Sequence, residues 1–239
     1  MLGDQSATVA LEGGPEEEGE KEDNQGDIGS VQGTIQFYST GWKPRIVHVS
    51  GNIYAIAYRG PGSIGGLTTV SISDDGLTLS VKASLEFYAY ATGAKIIHIS
   101  GNIYAIAYQS YDEKGWLTTV SISDDGLTLS VKASLQFGVA RTSKVSFAHI
   151  SGNVYAIACR GADYDGWLTT VSISDDGLTL ALTGASLEFD TSECWDIEQI
   201  SHISGNVYAI AYGQTSGGLG LLKTLSISDD GLTLSVKAS

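Results

Sequence analysis

Four histidines, His48, His98, His149 and His202, each stand three residues before the glycine of a Ser-Gly-Asn step. One register repeated four times allows two chemistries. Each imidazole could form a hydrogen bond inside its own unit, for instance to a turn aspartate, or the four together could ring an axis and hold a metal or an anion. The local bond needs nothing beyond the unit and is preferred, so neither metal nor cofactor is expected.

Paired carboxylates such as Asp74 with Asp75 and Asp229 with Asp230 match a glycosidase only in composition. Glycosidic carboxyls face each other across the substrate at about 5 to 9 Å, whereas adjacent turn residues point apart. The stretch Gly60-Pro61-Gly62-Ser63-Ile64-Gly65 satisfies the dinucleotide spacing, but a strand pattern follows it where a helix is required. No nucleophile elbow, zinc-helix motif or phosphate loop is present, and Cys159 with Cys194 supply at most one disulfide. Catalysis is therefore not expected. An alternative enzyme, a glycosidase or lyase, would have to draw on the carboxylates Asp112, Glu113, Asp163, Asp165, Asp190, Glu193, Asp196 and Glu198.

The elements that must position these residues are repeated. The glycine of Ser-Gly-Asn recurs at Gly51, Gly101, Gly152 and Gly205, and that of Asp-Asp-Gly at Gly76, Gly126, Gly177 and Gly231. Each interval is about 50 residues, the length of one supersecondary unit in an array. Within a unit, period-2 alternation and turn residues predict four strands, as in KIIHIS, NIYAIAY, LTTVSIS and LTLSVKASLEF. Asp-Gly between two alternating runs is a hairpin signal, because glycine accepts the positive φ of such turns. Four-stranded antiparallel units repeated at this length predict an all-β fold, a β-propeller with four blades in the chain.

The succession of an apolar strand, Ser-Gly-Asn, Tyr-Ala-Ile-Ala-Tyr and Gly-Leu-Thr-Thr-Val-Ser-Ile-Ser-Asp resembles the LVIVD type of propeller repeat of bacterial and archaeal surface proteins. The resemblance covers residues 31–239, with Asp-Asp-Gly where that family has Asp-Pro. It implies a propeller scaffold at the cell surface or outside the cell, and no single activity.

Two regions follow: an acidic segment, 1–30, and the repeats, 31–239. Residues 1–30 carry nine acids against one base and no apolar period, which predicts a disordered tail or linker. No stretch is long and apolar enough to span a bilayer. A formal net charge of -14 opposes nucleic acid and anionic membranes as partners. VQGTIQFYST aligns without a gap to VKASLEFYAY, so residues 31–37 correspond to the outer strand of a blade whose other strands are absent, and the chain stops at Ser239 within the same strand. Four blades could close within one chain, eight could close in a homodimer exchanging these strands, or the chain could belong to a longer array. The shallow face made by Ala55 and Ala57 favours the wider ring.

Framework strands are nearly identical between units, and the differences collect in two loops per blade, at 59–66, 109–116, 160–167 and 213–221 and at 38–45, 88–95, 138–144 and 190–199. Antiparallel geometry brings both sets to one face of the disc. Trp42, Trp116, Trp167 and Trp195 fall in or beside these loops, with Tyr88, Tyr90, Tyr111 and Tyr164 and with Arg45, Arg59 and Arg160. Large amphipathic rings among arginines suit a binding surface. The function expected is a non-enzymatic scaffold or recognition module for a glycan or protein on that face. A purely structural, self-assembling repeat is the alternative.

Overall fold

The computed structural model describes residues 33–138, 141–214 and 218–238. The acidic segment and Val31 and Gln32 lie outside the described residues. Four antiparallel sheets follow one another along the chain, each a simple meander of four strands. Blade 1 comprises β1 (Trp42–Ser50), β2 (Ile53–Arg59), β3 (Gly65–Ile72) and β4 (Leu79–Tyr88). Blade 2 comprises β5 (Thr92–Ser100), β6 (Ile103–Gln109), β7 (Gly115–Ile122) and β8 (Leu129–Gln136). Blade 3 comprises β9 (Ser143–Ser151), β10 (Val154–Arg160), β11 (Gly166–Ile173) and β12 (Leu180–Asp190). Blade 4 comprises β13 (Cys194–Ser204), β14 (Val207–Gln214), β15 (Leu219–Ile227) and β16 (Leu234–Ala238). No helix among the described residues is long and apolar enough to cross a membrane.

The blades pack face to face through the alternation in their second strands. Ala55, Ala57 and Leu67 of blade 1 lie against Tyr104, Ile106, Tyr108 and Val120 of blade 2. Ala105, Ala107 and Leu117 then meet Tyr155, Ile157 and Val171, and Ala156, Ala158 and Leu168 meet Tyr208, Ile210, Tyr212 and Leu225. Small residues on one side and bulky ones on the other let successive sheets interdigitate at native density. Three such clusters join blades 1 to 2, 2 to 3 and 3 to 4. A fourth covers the other side of Tyr58 with Phe37 and Tyr38 from the chain before β1.

A polar latch accompanies each junction. Thr69 Oγ1 donates to the carbonyl of Gly126 at 2.6 Å, Thr119 to Gly177 at 2.6 Å and Thr170 to Gly231 at 2.6 Å. The accepting glycine ends an Asp-Asp-Gly turn with φ near +69° and sits so close to the preceding blade that a Cβ would lie 2.7 Å from Ile103 at Gly177. Only glycine meets both demands. Within the turn, Ser123 Oγ donates to Asp125 at 2.6 Å, and Asp125 accepts the Leu127 N–H at 3.0 Å. The second aspartate thus closes the hairpin, and its carboxyl is held below the usual range, first by the Ser123 hydroxyl and then by that N–H.

The histidines do make local bonds, but with a different partner from the turn aspartate considered above. Nε2 of His48, His98, His149 and His202 bonds the carbonyl of Gly51, Gly101, Gly152 and Gly205 at 2.8, 2.8, 2.9 and 2.8 Å. The carbonyl is three residues away across the tight turn. Each ring also packs against the tyrosine opposite it, as His48 does on Tyr54 at 5.2 Å. Cys159 and Cys194 are both free and buried. Among the described residues no cluster of His, Cys, Asp or Glu could hold a metal.

Candidate functional site: a basic cavity at the axial mouth

Both sets of variable loops meet at one end of the blades. The Ala91 N–H donates to the Ser63 carbonyl at 2.8 Å, Thr142 to Glu113 at 2.6 Å and Cys194 to Tyr164 at 2.6 Å. In blades 1, 2 and 3 the loop between second and third strands is thus tied to the chain entering the next blade. The accepting residues Ser63, Glu113 and Tyr164 all have positive φ, at 72°, 61° and 66°.

Inside this rim, the inner strands open around a cavity of about 390 Å³. Its wall includes Lys43 and Arg45 from β1, Lys95 from β5, Lys144 from β9, Arg160 from β10, and Asp196 and Glu198 from β13. Five bases against two acids give this wall a formal charge of +3 in a chain of -14. The chain has 13 lysines and arginines in all, so the clustering of five of them here sets a strong local field.

A bulge near the mouth of each inner strand shapes this wall. Register shifts fall between Trp42 and Arg45 and between Thr92 and Lys95, opposite Ala158 and Arg160, and between Trp195 and Gln199. Within them Lys43, Gly93, Lys144 and Asp196 take φ of 49°, 66°, 53° and 51°. Blade 2 uses glycine, as such a backbone prefers, while the other three place a charged residue in strained geometry. Strain of this kind costs on the order of 1 kcal/mol and concentrates at functional sites, where a bulge re-aims a side chain.

The acids are already engaged. Glu198 accepts from Lys95 at 2.7 Å and Arg45 at 2.9 Å, and Lys144 pairs with Asp196. The lysine bonds, Lys95 to Glu198 and Lys144 to Asp196, are the main reason both carboxyls lie below the usual range. Arg160 closes the floor and is only 6% exposed. Its Nε donates to Ser143 Oγ at 2.9 Å, and its guanidinium lies 4.3 Å from the Trp195 ring centre and 4.9 Å from that of Tyr164. Tyr164 stacks on Trp195 at 5.9 Å, and Arg141 donates to the Tyr164 hydroxyl at 3.2 Å. Burial and then the Arg141 charge lower the Arg160 pKa, yet a guanidinium stays protonated. Its Nη1 is buried without a hydrogen-bond partner among the described residues.

The residues singled out by sequence divide among several settings. Arg45, Arg160, Tyr164 and Trp195 come together at or beside the cavity. Trp42 is exposed on β1, and Arg59 holds its own loop through Ser63 Oγ at 2.9 Å. Tyr88 packs on Tyr108 and Trp116, so these rings serve the junction of blades 1 and 2. Tyr90 and Tyr111 meet edge to face at 5.3 Å on the outer rim, and Trp167 packs on the blade 2 to 3 core.

The sequence reading missed Lys43, Lys95 and Lys144. The signal that could have found Lys43 and Lys144 is Gly93: all three stand five residues before the histidine of their unit. Glu188 was also missed. Partial desolvation and then Asp165 raise its carboxyl pKa, but it lies on β12, the outermost strand of blade 3, and does not line the cavity.

No family model and no curated protein matches the chain. Solved structures do. A protein from Lactobacillus plantarum aligns at TM-score 0.53 and 13% identity over 78% of this chain and 53% of its own. A putative exo-beta-1,3-galactanase from Bifidobacterium bifidum aligns at TM-score 0.52 and 11% identity over 83% of this chain and 71% of its own. A mutant NanB sialidase from Streptococcus pneumoniae aligns at TM-score 0.56 and 14% identity over 78% of this chain and 30% of its own. The chain thus spans about half of the first and under a third of the last. At such identities the likeness speaks to architecture alone, and four successive antiparallel four-stranded sheets with these neighbours make the chain a β-propeller protein.

Proposed function

We propose that this chain is a non-enzymatic recognition module whose ligand is a glycan bearing an anionic group, seated in the axial cavity. The observation that carries the reading is the buried Arg160 guanidinium, with one unpartnered nitrogen, in a wall shared with Lys43, Arg45, Lys95 and Lys144. Charge-assisted, bidentate bonds to a carboxylate are what a fixed guanidinium does best. Tyr164 and Trp195 stack on each other and hold that guanidinium against their rings, which fixes its orientation. Two of the similar folds carry glycan-processing names, a galactanase and a sialidase, which supports saccharide as the ligand class.

The non-enzymatic part rests on the state of the acids. A general acid in a glycosidase needs a raised pKa. Asp196 and Glu198, the two carboxyls of the wall, are pulled the other way by their lysines. The cell-surface setting and the LVIVD-type repeat rest on the sequence pattern, and a glycan ligand accords with both.

The test is a glycan array followed by titration calorimetry with acidic and neutral oligosaccharides. Uronic or sialic acid-bearing glycans are expected to bind and their neutral counterparts to fail, and Lys144→Ala is expected to weaken binding about tenfold, equal to about 1.4 kcal/mol. Equal binding of neutral glycans, or turnover of any of them, would refute the proposal.

A further inference from the structure

The arc has two raw ends, and each displays one half of the junction that the interior repeats three times. On blade 4 the small-residue face is Ala209, Ala211 and Leu222, where Leu222 occupies the place of Leu67, Leu117 and Leu168. Those three are fully buried, whereas Leu222 is 63% exposed. On blade 1 the bulky face is partly covered, with Ile56, Tyr58 and Val70 buried in the cluster that includes Phe37 and Tyr38, but Ile46 on the same face is 58% exposed, where its counterparts Ile96 and Ile200 are 8% and 4% exposed.

The latch is also cut in half. Thr224 stands where Thr69, Thr119 and Thr170 do, and Gly76 stands where their acceptors Gly126, Gly177 and Gly231 do. A Cβ on any of those three would strike the preceding blade, but one on Gly76 meets nothing within 4 Å.

The outer strand is divided in the same way. β4 pairs with β3 along its whole length, from Ile72 with Leu79 to Gly65 with Tyr88. β16 stops at Ala238 opposite Thr224, so Leu219–Lys223 has no outer partner among the described residues. The missing half is carried at the other end of the chain. Residues 34–38 align with 84–88, and Phe37 and Tyr38 rest on Tyr58 at 5.2 and 5.1 Å as Phe87 and Tyr88 rest on Tyr108 at 5.4 and 5.1 Å. The segment is thus already seated on its following blade and lacks only the preceding one.

We infer that the occupant of both ends is a second copy of this chain, each copy packing its blade 1 on the other's blade 4 so that two chains close one ring of eight blades. Thr34 to Tyr38 of one copy then continue β16 along the bare edge of β15 of the other, and Thr224 Oγ1 donates to Gly76 of the partner copy. Every group uses a contact already made three times in the interior. The contact that spans the opening, between Arg45 and Glu198, joins two exposed side chains and covers neither face.

The experiment is light scattering on the full chain across a dilution series, with Leu222→Glu as the variant. A mass of two chains, about 50 kDa from twice 25.1 kDa, is expected, and one chain with unchanged circular dichroism for the variant. Leu222 is exposed in the single chain, so the substitution leaves the fold intact; Ile46→Glu repeats the test from the other face. A wild-type mass of one chain would overturn the inference, as would mass that grows with concentration without a plateau, or a variant that stays at two chains. The inference is independent of the glycan reading, since the separated variant keeps its cavity and its binding is measured in the same samples.

Discussion

Replacing Lys43 by glycine should make the protein more stable while impairing its proposed ligand site. Lys43 sits at φ 49° in the bulge of β1, at a position where blade 2 has Gly93 at 66°. A non-glycine residue in this left-handed region carries about 1–2 kcal/mol of steric strain. Glycine removes it and loses about 0.5–1 kcal/mol to the larger freedom of its unfolded chain. The net is a gain of about 0.5–1 kcal/mol, or about 1–4 °C in Tm for a domain of this size. Lys95→Gly makes the same charge change in the same cavity without a positive φ to relieve, and it also breaks the Lys95–Glu198 pair. It should therefore be destabilising. The assay is thermal and urea denaturation of both variants beside wild type, with calorimetric titration of an acidic glycan. If Lys43→Gly melts lower than wild type, or melts higher but binds with unchanged affinity, the claim that strain is held at the mouth to aim charge into it is wrong.

Other outcomes follow from the same structure. Gly177→Ala combines positive φ with a Cβ 2.7 Å from Ile103, so it should cost about 2–5 kcal/mol by urea denaturation, adding overpacking of about 1–3 kcal/mol to strain of about 1–2 kcal/mol. Asp125, Asp196 and Glu198 have folded pKa values depressed by Ser123, Lys144 and Lys95, respectively. Their contribution is complete above the unfolded values near 4 and is lost as pH falls through the lower folded values, so a Tm profile should drop below about pH 4. Cys159 and Cys194 are buried, and desolvation pushes both thiols up to about 12. Iodoacetamide at pH 8 should leave the native mass unchanged and add two labels only in denaturant; labelling of the native chain would contradict the packing of these thiols.

The repeat made most of the fold legible. Tyr-Ala-Ile-Ala-Tyr states which face of the second strand is shallow, Asp-Asp-Gly states where the chain reverses, and both recur often enough to fix four blades without any structure. The common face of the variable loops was legible too, because antiparallel pairing leaves no other place for them. The site was only partly so. Arg160, Tyr164 and Trp195 could be named from residue type, but nothing in the types Lys43 and Lys144 announces a left-handed backbone. That conformation is imposed by the bulge, a tertiary event, and the sequence betrays it only through the glycine at the equivalent place in blade 2. The partner of the histidines was misjudged for a related reason: a carbonyl three residues away offers no side-chain signal to read.

The threonine-to-glycine latch has an evolutionary corollary. Donor and acceptor sit at corresponding places in every unit, so any module fits behind any other. Duplicating or deleting one whole unit of about 50 residues would alter circumference and axial width while requiring no new junction to be invented. The geometry of the mouth can therefore be retuned by unequal crossing-over, and the width of the cavity becomes a matter of copy number as much as of point substitution.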